Sequence, residues 1–70
     1  MFYYYEIVDT TDLPHKIMTT SSIRKGTSPS LEESILATVA RTVGMKKEHG
    51  YIVKYDENRI VVDVLDINVD

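Results

Sequence analysis

The sequence predicts an α+β domain: β-β-α-β-β, a four-stranded antiparallel sheet with one helix packed on one face, filling residues 1–70 as a single small unit. Three stretches carry that reading. Leu31, Ile35, Leu36, Val39, Ala40 and Val43 recur at helical spacing and form one apolar stripe. Phe2 to Val8 is aromatic and β-branched, as strands prefer. The closing run from Ile60 to Asp70 alternates apolar and polar residues over the longest β-prone stretch of the chain.

In the first strand Tyr3, Tyr5 and Ile7 share one face, and Phe2, Tyr4, Glu6 and Val8 share the other. Both faces are strongly apolar, so each is expected to be covered, by the helix or by a partner. Asp9 to Pro14 reads as a turn, because Asp and Thr bond their own backbone and Pro fixes φ. His15 to Ile23 is rich in Thr and Ser and is expected to be an edge strand that returns along the first as a wide hairpin. Arg24 to Pro29 is a loop. Ser30 and Glu33 match a capping box, with Ser28-Pro29 as a competing start two residues earlier. Gly44 is placed to close the helix in the left-handed conformation.

After a polar connection, Tyr51 to Tyr55 is the third strand, with Tyr51, Val53 and Tyr55 on one face. Asp56-Glu57-Asn58-Arg59 is a four-residue hairpin turn in which Asn58 is expected to take positive φ. The closing strand changes phase once: Ile60, Val62 and Val64 hold one parity, Leu65, Ile67 and Val69 the other. A bulge near Val64-Leu65 would place all six on one face, under the helix beside Tyr51, Val53 and Tyr55. It would also gather Val61, Asp63, Asp66, Asn68 and Asp70 on the opposite face.

Eight basic and eleven acidic side chains give a formal charge of −3. That balance argues against simple electrostatic binding to nucleic acid or to an anionic membrane. No apolar run approaches the roughly 20 residues of a membrane span. Met1 to Glu6 has neither the basic region nor the cleavage site of a signal peptide, and cysteine is absent, so a cytoplasmic location is expected. A chain this short buries only about 60% of its unfolded surface, which makes homodimerisation an expected source of further burial.

No catalytic constellation is visible, and no cofactor or metal is expected. His15 and His49 stand in separate predicted loops without ligand spacing around them. The carboxylates of a strand diverge rather than converge on a cation. Three surfaces remain. The acidic face, Asp63, Asp66 and Asp70 extended by Glu6, Asp56 and Glu57, is the candidate contact for a basic protein partner. Its strand rise of about 3.3 Å is close to the roughly 3.4 Å between phosphates along a DNA strand, so a row of carboxylates imitates a phosphate track. Phe2, Tyr4 and Val8 are the candidate dimer interface. Arg24 and Lys25, before the helix amino terminus, form the alternative, an anion- or nucleic-acid-binding loop. The five tyrosines are expected to pack rather than to stack nucleobases, because no basic groove accompanies them.

With its aromatic Met1–Val8 strand, its Asp63/Asp66/Asp70 tail and a compact, acidic, cysteine-free chain, the sequence resembles small bacteriophage proteins that disable host machinery. Some of that class are dimeric DNA mimics. The resemblance implies an inhibitor that occupies the DNA site of a basic, nucleic-acid-binding host protein. The expected function is thus a non-catalytic interaction module that forms a homodimer and binds a basic protein partner.

Overall fold

The computed structural model describes residues 1–69. These form β1 (Phe2–Asp9), β2 (Lys16–Arg24), α1 (Pro29–Val43), a single 3₁₀ turn (Lys47–His49), β3 (Gly50–Tyr55) and β4 (Val61–Leu65). The four strands make one antiparallel sheet in the order β2-β1-β3-β4, with α1 packed against it. The α+β class and the β-β-α-β-β order are therefore as the sequence predicts.

The helix begins at the earlier of its two candidate starts. Ser28 is the N-cap, its hydroxyl accepting the Leu31 amide at 3.3 Å, and Pro29 takes the first helical position. Ser30 and Glu33 thus lie inside the helix rather than forming a capping box. Proline's fixed φ and missing N–H suit the first position, which moves the start upstream. At the other end Gly44 has φ +82°, and the amides of Gly44 and Met45 bond the carbonyls of Arg41 and Ala40. This is the Schellman arrangement, and Met45 is buried beside the core as its hydrophobic contact. The apolar stripe mostly faces the sheet: Leu36 and Ala40 are buried, Ile35, Val39 and Val43 partly so. Leu31, by contrast, is 52% exposed, while Ala37 joins the core.

Cross-strand pairing decides which strand residues meet the helix. Tyr5 and Ile7 of β1 are buried beneath it, and antiparallel partners share a face. The register places Ile7 opposite Ile52, and Ile52 opposite Leu65, so one row enters the core. Tyr5 stands opposite Lys54, and Lys54 opposite Asp63, in the next row on the same side. Tyr51, Val53 and Tyr55 therefore project from the face away from the helix, not under it as expected.

The closing stretch also differs. β4 ends at Leu65, and its register shift lies where Lys54 pairs with Asp63 but Tyr55 pairs with Val61, leaving Val62 as the extra residue. Ile60, Val62 and Val64 remain exposed: Ile60 precedes β4, Val62 is the bulge residue, and Val64, paired with Val53, faces away from the helix. Leu65 packs against the core, and beyond the strand Ile67 and Val69 are buried in it. Asp66 and Asn68, which alternate with them, stay at the surface. Alternation thus continues past β4 without a ladder. The hairpin between β3 and β4 puts its positive φ at Arg59 (+62°), not at Asn58. The Asp56 carboxylate explains this, since it accepts the amides of both Asn58 and Ile60 and fixes the path of the turn.

Candidate functional site

The sheet face away from α1 is the most distinctive surface of the chain. Three rows cross it. Tyr4, Tyr55 and Val61 are neighbours on successive strands, as are Glu6, Val53 and Val64, and Val8 stands beside Tyr51. β2 contributes Ser22 next to Tyr4 and Thr20 next to Glu6. Tyr4 is 45% exposed and Val64 58%, with Phe2 and Val61 also well exposed. Uncovered apolar and aromatic groups side by side on one sheet face make this face the candidate site. Val8 is the exception. Its side chain is only 6% exposed, so it is already covered within the chain and is not available as the expected dimer contact alongside Phe2 and Tyr4.

At one end of this face lies a cleft of about 600 Å³. Tyr4 and Glu6 contribute to it from β1, Thr20 and Ser22 from β2, and Tyr55, Asp56, Glu57 and Arg59 from the β3–β4 hairpin. Three acidic residues and one arginine thus line the same cleft. The Tyr55 hydroxyl donates to Glu6 Oε1 at 2.6 Å, and this bond to a carboxylate raises the phenol above its ordinary value. Glu57 accepts from Lys25 Nζ at 2.5 Å. That bond holds Glu57 below the usual carboxylate range and Lys25 above the usual ammonium value. No ion pair involves Glu6, Asp56 or Arg59 among the described residues.

Only part of the expected acidic row is assembled. Glu6, Asp56 and Glu57 meet at the cleft. Asp63 shares the helix side of the sheet with Lys54, where it is exposed at the uncovered edge. Asp66 follows the end of β4, and Asp70 lies outside the described residues. A bulge near Val64-Leu65 would have returned Asp63 and Asp66 to one face; a bulge at Val62 does not. The carboxylates therefore do not form a track along β4.

The alternative anion site is not gathered either. Arg24 pairs with Phe2, so it belongs to the open side of β2, whereas Lys25 lies over the Tyr3 ring at 4.9 Å on the helix side. The Arg24 carbonyl, not its guanidinium, anchors the loop by accepting the Thr27 amide and hydroxyl. The tyrosines likewise divide: Tyr3 and Tyr5 toward the helix, Tyr4, Tyr51 and Tyr55 on the open face. His15 meets Tyr51 edge-on at 6.1 Å. Among the described residues, no group of three or more His, Asp or Glu is placed to hold a metal ion, and no helix is long and apolar enough to cross a membrane.

Sequence reasoning named Glu6, Asp56 and Glu57 but missed Tyr55 and Arg59. The signal that finds them is Asp56 at the first turn position, whose carboxylate folds the hairpin so that Arg59 comes back beside Tyr55. Comparison with protein-family models, with curated protein sequences and with solved structures finds no match to this chain.

Proposed function

We propose that this chain is a non-catalytic protein-interaction module that binds its partner through the open face of its sheet. The observation that carries the reading is the one-sided cover. The single helix buries Tyr5, Ile7 and Ile52, while Phe2, Tyr4, Val61 and Val64 on the other side remain exposed as one apolar patch. Such patches, rimmed by polar groups, are typical of protein contacts, whose cores are enriched in aromatic side chains. Tyr4 and Tyr55 are the natural anchors, since tyrosine combines a large apolar body with a hydrogen-bonding tip. The acidic cleft within the face fits a basic partner. This retains the expected basic protein partner and gives up the linear phosphate-like track, for which the carboxylates are not aligned.

The double variant Tyr4→Ser/Val64→Thr tests this reading. Proteins retained on immobilised wild-type chain should be lost from the variant, with far-ultraviolet circular dichroism confirming that the fold persists. The same retained set on both would sink the assignment. Light scattering on the free chain separates a second copy from a different partner. Mass that falls from dimer to monomer in the variant would make the occupant a second copy.

A further inference from the structure

We propose that the cleft lined by Tyr4, Glu6 and Tyr55 receives an arginine or lysine side chain presented by the protein partner. This rests on the open-face reading and names the chemistry at its centre. The juxtaposition that carries it is a carboxylate set beside tyrosine rings, a grouping that around Tyr3 already holds two of the chain's own lysines. Lys54 Nζ lies 4.2 Å from the centroid of the Tyr3 ring and bonds Glu32 at 2.6 Å. Lys25 Nζ lies 4.9 Å from the same ring and bonds Glu57 at 2.5 Å. In both, the ring face and the carboxylate attract the same ammonium.

On the open face Glu6 shares with Glu32 a tyrosine hydroxyl that donates to its carboxylate. Its Oε1 accepts from the Tyr55 hydroxyl, and the exposed Tyr4 lines the same cleft. No lysine or arginine among the described residues pairs with it. Asp56 adds a second negative charge, although its Oδ1 is committed to the backbone of the turn. Arg59 is the opposing charge at this site. The cleft volume, about 600 Å³, is within the roughly 300–1,000 Å³ of small-ligand sites, enough for a basic head group together with part of the segment that bears it. The surroundings favour a protein over a free amine. Val61 continues the Tyr4–Tyr55 row, and Val53 and Val64 continue the Glu6 row, so apolar residues flanking the basic side chain also find cover.

The test is a nuclear magnetic resonance titration of the full chain with an acetylated, amidated Leu-Arg-Leu peptide and its citrulline counterpart, which keeps the shape without the charge. The arginine peptide should move the amide signals of Tyr4, Glu6 and Tyr55 saturably, and the citrulline peptide should bind more weakly. Glu6→Gln, which can still accept the Tyr55 hydroxyl, should weaken arginine-peptide binding roughly threefold to fivefold, the size of one partly exposed ion pair. Arg59→Ala should strengthen it. Equal binding of the two peptides, no change in Glu6→Gln, or shifts confined to other residues would each overturn the proposal. Spermidine producing the same shifts with tighter binding than the peptide would also overturn it, making the cleft a polyamine site. If the peptide fails to bind while Tyr4→Ser/Val64→Thr still loses retained proteins, the open-face reading stands and the cleft assignment alone falls. If the peptide binds but the retained set is unchanged, the open-face reading itself fails.

Discussion

Glu32 shows how much a single residue can tie together. Its carboxylate accepts from the phenol of Tyr5 and from Lys54, linking the start of α1 to β1 and β3. Burial works to raise this carboxyl, but the bonds from Lys54 and Tyr5 outweigh it and hold it below its ordinary value. Tyr5 is pushed the other way, first by burial and then by donating to a charged acceptor. A lowered carboxyl stabilises the fold above its unfolded value, and that stability is lost as the pH falls through the lower folded value. Thermal stability should therefore decline below about pH 4.3, the unperturbed glutamate value. In Glu32→Gln the decline should be shallower but still present, since Asp9 and Glu57 are also held low by their bonds to Thr11 and Lys25. Glu32→Ala should cost about 2–3 kcal/mol by denaturant titration, because it strands a half-buried ammonium and a buried phenol. Glutamate three residues after a serine is visible in sequence as a helix-start signal. That Glu32, rather than Glu33, turns toward the sheet follows from the helical repeat, which sets it on the same face as the buried Leu36 and Ala40.

Among the elements, the junction of α1 with β3 depends on a close approach at Gly50. Its backbone is extended, so no special dihedral requires glycine. The constraint is space: a Cβ there would stand 2.4 Å from Met45 Cγ and 3.1 Å from the Val8 carbonyl oxygen. Met45 is buried as the contact that closes the helix cap, so it has little freedom to retreat. Gly50→Ala should destabilise by about 1–3 kcal/mol, the usual range for overpacking, as measured by urea unfolding. No change in the unfolding midpoint would show that Met45 repacks freely. The elements themselves were largely legible. The Leu36–Ala40 stripe and Gly44 identify the helix and its end, and the Thr/Ser-rich stretch after His15 forms the edge strand expected of it. The closing strand was less so. Its phase change between Val64 and Leu65 is real in the sequence, but it is resolved differently: Val62 forms the bulge, Val64 stays out, and Ile67 and Val69 reach the core after the ladder has ended.

At the scale of the molecule, one face of the sheet is covered by the helix and the other is open, and the proposed function assigns stability to the first and recognition to the second. Leu36→Ala, in the middle of the covered face, should cost about 3 kcal/mol in unfolding free energy. Val64→Thr, on the open face, preserves β-branching and should change stability by less than about 0.5 kcal/mol while weakening partner retention. A large loss of stability in Val64→Thr would mean that the open face supports the fold rather than awaiting a partner.

The sequence by itself determined the class, the element order and the helix stripe, because those follow from local spacing and from turn chemistry such as Asp56 and Gly44. It also marked the first strand as apolar on both sides. Only the tertiary structure decided which residues of β3 and β4 share a face with Tyr5 and Ile7. A slip of one residue in strand register inverts every side chain, and register is fixed by pairing between distant segments, here Ile7 with Ile52 and Ile52 with Leu65. That pairing sends Asp63 to the helix side and Tyr55 to the open one, and so places the candidate site at Glu6 and the hairpin instead of along the closing strand.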